Sequence, residues 1–364
     1  MSAIAKTPKI HRSELITHVH KPELIKFEYS VSPQNQSPIL LNKIRQAYLS
    51  YDLMSDPYVL SLLEGRARGD EEAAVALQDV VISQDTYCRK QLKMFSDRAQ
   101  SMLVELGYSP ADWYLRHCIS KYEKMFEGAY HHQFFGWSDE EKSRLYSILQ
   151  ALHRADDQET NKFGEINMSL DHISPKAQAL IDVLVSEFCS DFTGLVFVEQ
   201  RVWIAALAEI LATHPETKWR FNIGTFVGTS NTTSRRSNLA DLAELQNTSE
   251  TLDDFKAGKK NLILATSVLE EGIDISSCNL VICFERPKNL KSFIQRRGRA
   301  RKEKSKYVIL VPESSDLHSP ELWLELEEEM KRVYLDDLRE VTSAEEKEMI
   351  SEDASMVYEV PSTG

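Results

Sequence analysis

The chain has 364 residues, with 56 acidic against 43 basic side chains, a net charge of -13 and 42% apolar residues. That length allows about two or three compact units. No apolar run is long enough to span a bilayer, and the opening Met1-Ser2-Ala3-Ile4-Ala5-Lys6 lacks the apolar region of a secretory signal. Cys88, Cys118, Cys189, Cys278 and Cys283 show no C-x-x-C spacing, so neither a zinc site nor a disulfide framework is indicated. Composition therefore points to an intracellular protein, cytoplasmic or nuclear.

In chain order, residues 1–32 contain Thr7-Pro8-Lys9-Ile10-His11-Arg12 and Val19-His20-Lys21-Pro22-Glu23-Leu24, a stretch too short to fold by itself. Residues 33–170 read as helical. Ile39-Leu40-Leu41, Ile44 and Tyr48-Leu49 recur at helical spacing, as do Leu103, Leu106 and Tyr108, with few β-branched alternations between them. From 171 to 314 strand and helix alternate. Ser174-Pro175 starts a helix with Ala177, Leu180, Ile181, Leu184 and Phe188 on one face. A strand at Leu195 to Val198 leads to a helix with Ile204, Leu207, Ala208 and Leu211. Phe221 to Val227 then reads as strand and Leu252 to Ala257 as a helix closed by Gly258. Leu262 to Thr266, Leu280 to Phe284 and Tyr307 to Val311 complete the strands. Such alternation predicts an α/β unit, a parallel sheet covered by helices on both faces. Over 315–342, Leu322, Leu326, Met330, Val333 or Tyr334 and Leu338 predict an amphipathic helix; residues 343–364 read as a charged, partly disordered tail.

Two motifs stand out. In Gln295-Arg296-Arg297-Gly298-Arg299-Ala300-Arg301-Lys302, planar guanidinium forks crowd around one glycine, an arrangement that suits a phosphate-bearing partner. Leu290, Phe293 and Ile294 before it share a helix face, which seats the run at a fixed place. Upstream, Asn261 to Ile275 reads NLILATSVLEEGIDI: a buried parallel strand ending in Thr266-Ser267, where open α/β sheets place ligand groups. The overall negative charge would argue against nucleic acid, but Arg286, Lys288, Lys291 and the arginine run form a basic island. Two things are missing. No G-x-x-x-x-G-K-[ST] loop occurs, Gly258-Lys259 being the only Gly-Lys pair, and Asp70-Glu71-Glu72 and Asp139-Glu140-Glu141 read as helix starts or solvated faces rather than a magnesium-holding acidic box.

The two motifs resemble motifs V and VI of superfamily 2 helicases. ATSVLEEGIDI followed by FIQRRGRARK is more narrowly similar to the helicase of Dicer and the RNA sensors related to it. Gly224-Thr225-Phe226-Val227-Gly228-Thr229-Ser230-Asn231, after Gly194-Leu195-Val196-Phe197-Val198-Glu199-Gln200-Arg201, points to fungal Dicer-like proteins of the antiviral-silencing type. The resemblance implies a RecA-like second helicase lobe at 171–314. Before it would come a remnant of the first lobe (1–32) and a helical insertion (33–170) that grips double-stranded RNA; a pincer-like helix (315–342) would follow. It implies that Gln295, Arg299 and Arg301 approach the γ-phosphate of ATP bound to a first lobe, which would also hold Mg. Arg296 would face ATP or nearby acids. The commonest form of the motif has its second finger where Lys302 stands, and lysine lacks the bidentate fork, so that role passes to Arg301. Asp274 would contact ribose or orient the arginine helix. Thr266 and Gly272 would lie along the RNA backbone, as would Gln200, Arg201, Gly228 and Thr229. The expected activity is that of an RNA-silencing ATPase module, inactive alone, that completes an ATP site only with a first lobe; RNase III portions in cis or trans are further expected partners. An autonomous RNA helicase or ribonuclease, and a non-enzymatic RNA-binding or scaffold module, are the alternatives. The insertion is expected to be removable, leaving a folded sheet domain.

Overall fold

The computed structural model describes residues 22–31, 36–128, 138–160, 168–228, 238–244, 250–270, 275, 277–313, 322–326, 328–329 and 332. Six parallel strands form one sheet: β1 (Glu23–Tyr29), β2 (Gly194–Phe197), β3 (Ile223–Phe226), β4 (Leu262–Ala265), β5 (Leu280–Cys283) and β6 (Lys306–Pro312), in the order β1-β6-β5-β2-β4-β3. The central strands β2, β4 and β5 are buried end to end, as expected of parallel strands covered on both faces. This is the RecA-like sheet that the alternating pattern predicts.

After β1 the described residues of the helical block form α1 (Ile39–Leu49), α2 (Pro57–Ala67), α3 (Glu71–Ser83), α4 (Tyr87–Leu106), α5 (Tyr108–Glu127) and α6 (Asp139–Thr160). Local sequence sets their starts. Asp56 accepts the Tyr58 N–H at 2.9 Å ahead of Pro57, and Asp70 accepts the Ala73 N–H at 3.1 Å. At α6, Ser138 and Glu141 exchange N–H bonds in a capping box. Both acidic strings are therefore helix starts. The sheet domain adds α7 (Pro175–Ser186), α8 (Arg201–Thr213), α9 (Glu250–Lys256) and α10 (Leu290–Arg297). Gly258, with φ +75°, ends α9 in the left-handed conformation that a C-terminal glycine supplies.

The expected boundary at residue 32 needs correction. Ile25, Phe27 and Tyr29 alternate with Lys26 and Glu28, and β1 pairs with β6 over its full length from Glu23↔Lys306 to Tyr29↔Pro312. The strand is the edge of the sheet rather than a departing remnant, so the helical block is inserted within the sheet domain. Its exit is stitched to its own core. Gly107, φ +106°, joins α4 to α5, and a Cβ there would fall 2.5 Å from the His172 carbonyl oxygen. The Ser174 N–H donates to the Leu106 carbonyl (2.6 Å), and its hydroxyl donates to the Glu105 carbonyl (2.6 Å) while accepting the Ala177 N–H (3.0 Å) that starts α7.

A second tie comes from residues 238–244, between β3 and α9, which plug into the block. Gln91 bonds the Asn238 side chain (3.1 Å) and the Leu239 N–H (2.7 Å), Tyr114 donates to the Ala240 carbonyl (2.7 Å), and Lys121 donates to the Leu242 carbonyl (2.8 Å). Leu239 and Ala240 are fully buried, and one continuous apolar core contains Leu40, Phe95, Leu180, Ile204, Leu239 and Val308. The opposite face of the sheet has its own core around Phe197, Ile263, Phe293 and Tyr307. Trp323 of the helical turn at 322–326 stacks on Phe293 at 5.7 Å. The contact residues of that turn are Trp323 and Leu324, whereas Leu326 of the expected stripe is exposed; Met330, Val333, Tyr334 and Leu338 lie outside the described residues.

A shared core argues against the expectation that the insertion can be removed. Deleting residues 37–168 would expose the sides of α7 and α8 that pack against the block, together with Leu239 and its neighbours. The deletion protein is expected to bind a hydrophobic dye and to lack a cooperative urea transition. A sharp two-state transition from soluble deletion protein would show that the sheet stands without the block.

Candidate functional site

Parallel strands end on one edge, so the residues just past β5, β2, β4 and β3 form a row in sheet order: Glu285, Glu199, Thr266 and Gly228. Such carboxyl edges are where open α/β sheets bind ligands. Helix α10 lies beside this row. Asn289 caps it by accepting the Ser292 N–H at 2.9 Å, and Phe293, buried edge-on against Tyr307 (5.5 Å), anchors it to the sheet.

Arg296 is 2% exposed. Its Nη2 donates to Glu199 Oε1 at 2.9 Å and its Nε to Glu270 Oε1 at 2.7 Å, and its guanidinium carbon lies 5.0 Å from the centre of the Phe197 ring. Burial alone would lower its pKa, but the carboxylates hold it above the ordinary value. Of the two roles weighed for Arg296, the structure displays the tie to nearby acids. Glu270 is the second half of the clamp: its other oxygen accepts the Ser292 hydroxyl (3.1 Å), and its carbonyl accepts Arg299 Nη2 (2.9 Å). Arg299 is thereby fixed, 8% exposed, and its own carbonyl accepts the Cys278 N–H just ahead of β5 (3.2 Å). Gln295 is half-buried on α10, and Arg301 is exposed, its Nε donating to the Gly298 carbonyl at 2.7 Å. Lys302 turns to the other edge of the sheet, where its Nζ meets the Asp191 carbonyl (2.8 Å) and Asn279 Oδ1 (3.0 Å).

Three of the residues expected along RNA come together at the β3–β4 end of the row. The Gly228 N–H donates to Thr266 Oγ1 at 3.3 Å, which makes Thr266 a strand-end tie as well as an edge group. A Cβ at Gly228 would lie 3.4 Å from Arg201 Nη2. Arg201 opens α8 and approaches Glu244 at 3.8 Å; Gln200 before it is exposed. Thr229, Gly272 and Asp274 lie outside the described residues. Trp113 and Tyr114 are buried in the helical block.

Sequence reasoning missed the glutamates that hold the row together. Glu199 and Glu285 each follow a buried strand by two residues, and Glu270 follows β4 through a short 3-10 turn. Acids just past buried strands, opposite an arginine helix, were the available signal. Burial works to raise the Glu199 pKa, yet Lys288 and Arg296 outweigh it and hold the carboxyl below its ordinary value. For Glu285 burial wins: its carboxyl is pushed up to about 7, against the pull of Lys176 and of the Glu199 N–H, which it accepts at 2.9 Å. Its other oxygen is buried without a hydrogen-bond partner.

Residues 175–304, which span this parallel sheet from α7 through the arginine helix, match the helicase conserved C-terminal domain family. The chain corresponds more particularly to the helicase portion of fungal Dicer-like proteins. It is 50% identical over 366 residues to Dicer-like protein 2 of Phaeosphaeria nodorum and 38% identical over 369 residues to that of Aspergillus terreus; in each case all of this chain and 26% of the relative are covered. The chain thus spans about a quarter of the length of these relatives. A DEAD box protein from Methanococcus jannaschii is 25% identical, covering 38% of this chain and 33% of that one, with a TM-score of 0.29.

Two outcomes follow from the clamp. Arg296→Met strands two largely buried carboxylates, and chemical denaturation should show a loss of about 3–5 kcal/mol, the usual cost of breaking a buried ion pair; a loss below ~1 kcal/mol would mean the clamp is replaceable by water. Glu285 has a folded-state pKa raised above its unfolded value, so its contribution to stability is full below about pH 4.5 and is lost as pH rises through about 7. Glu285→Gln should remove that slope, which reaches up to about 1.4 kcal/mol per pH unit where the proton leaves. Parallel urea midpoints for variant and wild type from pH 5 to 8 would contradict it.

Proposed function

We propose that this chain supplies the arginine side of a composite ATP site and part of the RNA track of an RNA-silencing helicase. The observation that carries this reading is the placement of Arg299: a buried cation just past α10, its Nη2 fixed by the Glu270 carbonyl. A cation held rigidly there needs no reorganisation to stabilise charge building on a transferring phosphoryl group, which is how a finger from a neighbouring lobe accelerates hydrolysis. Gln295 and the exposed Arg301 flank it. The phosphate cradle and Mg would come from a first lobe, since neither of their motifs occurs in this sequence.

On the RNA side, a main-chain N–H at a glycine, a threonine hydroxyl and an arginine are phosphate and sugar ligands rather than base readers. Such a surface binds with little sequence preference. The helical block, locked to the sheet by residues 238–244, would hold duplex RNA at a fixed distance from the edge.

The purified chain is expected to show no ATP turnover above background, and RNA-stimulated hydrolysis by it alone would refute that. Adding the first lobe of a fungal Dicer-like protein should restore turnover. Arg299→Ala should then cost roughly a thousandfold or more, whereas wild-type rates in that variant would reassign the finger. Titrated at two salt concentrations, double-stranded RNA should bind more tightly than DNA of equal length, and its affinity should fall steeply with salt. Equal affinity for both duplexes would favour a scaffold role.

A further inference from the structure

The chain leaves the sheet for the helical block at Tyr29, the end of β1, and returns through α7, which begins at Pro175. A cluster of ionisable groups from five elements sits at this junction: Tyr29, Glu105 at the end of α4, Lys176 on α7, Glu285 past β5 and Glu199 past β2. Lys176, 7% exposed, bonds Glu105 Oε2 at 2.5 Å, and its ammonium lies over the Phe284 ring, 4.4 Å from the centre. Glu285, the next residue, feels that ammonium, and Tyr29 feels both Glu105 and Glu285, which together with burial push its phenol up to about 12. On its other side Glu285 accepts the main-chain N–H of Glu199, whose carboxylate holds Arg296.

We infer that Glu285 is a positioning residue that transmits the charge state of the helical block to the arginine helix: Lys176, shared with Glu105, fixes the charge on Glu285, and Glu285 fixes the Glu199 backbone that clamps Arg296. The inference deepens the ATP-site reading, because Arg299 directly follows α10, but it concerns α10 in the protein alone.

The chemistry gives each link a sign. A hydrogen bond to an ionised carboxylate is roughly twice as strong as one to a neutral acid. Lys176 favours the ionised form of Glu285, so the Glu199 N–H bond is at its strongest when Lys176 is charged and near. Glu105 opposes this directly, as a neighbouring negative charge, and indirectly, by drawing the ammonium to itself. Weakening Lys176 should therefore loosen α10, and weakening Glu105 should tighten it. Loss of packing alone would loosen the structure in both cases.

Amide hydrogen exchange of the whole chain, without nucleotide or RNA, reads this out. At pH 7, Lys176→Met should speed exchange of the Phe293–Arg297 amides by roughly fivefold, leaving α1 and α5 unchanged. Glu105→Gln should slow exchange of the same amides. In a Glu285→Gln background, which keeps an acceptor for the Glu199 N–H but removes the titrating charge, neither substitution should change exchange in α10. The inference is overturned if Glu105→Gln speeds exchange in α10, if Lys176→Met leaves it unaltered, or if either effect survives in the Glu285→Gln protein. Should Lys176→Met fail to fold, the direction of the Glu105→Gln effect decides alone. An ATP site that fails to assemble with a first lobe would leave these exchange rates as they are, so the two failures are separable.

Discussion

Arg296 between Glu199 and Glu270 is the interaction on which the rest of the edge depends. Each carboxylate belongs to a different strand end, and the arginine belongs to the helix that crosses them, so one guanidinium fixes three segments that are far apart in sequence. A buried pair of this kind is seldom a net source of stability, because both ions lose their hydration. Its value lies in register. An apolar residue at 296 would still pack against Phe197, but only the Ser292 hydroxyl among the contacts described would then hold the Glu270 carboxylate, and Arg299 is bonded to the Glu270 carbonyl.

The helical block is bound into this arrangement by topology. The edge strand β1 precedes it, α7 follows it, and residues 238–244, which come after β3 in the chain, enter it. Three connections at separate places make relative motion of block and sheet costly, since each would have to break buried hydrogen bonds or open the shared core.

Much of the sheet was legible in the sequence because its strands are buried on both faces and read as continuous apolar runs: Leu262–Ala265 and Leu280–Cys283 fall within the segments expected. Helix starts were legible where a cap and a proline coincide, as at Ser174-Pro175. The edge strand was not recognised: its alternating Ile25, Phe27 and Tyr29 lie beside a segment whose resemblance pointed to a different lobe, and an edge strand buries only one face. The plug at Leu239-Ala240 was invisible for another reason. Its burial depends on Gln91 and Tyr114, some 150 and 125 residues earlier, and no local pattern encodes such a contact. At the site, the arginines announced themselves by crowding, whereas single glutamates after strands look like ordinary surface acids until the fold brings them opposite a cation.

Those glutamates also explain how a chain of net charge -13 can present an edge fit for phosphate. Counted singly, Glu199, Glu270 and Glu285 would make the carboxyl edge repel a polyanion. Glu199 is neutralised by Arg296 and Lys288, and Glu270 shares Arg296, so their charge is spent inside the protein. Glu285, raised by burial to about 7, carries only part of a charge at neutral pH. The potential left at the edge is then set by the charges that stay unneutralised there more than by composition, since acids farther away than about a Debye length are largely screened.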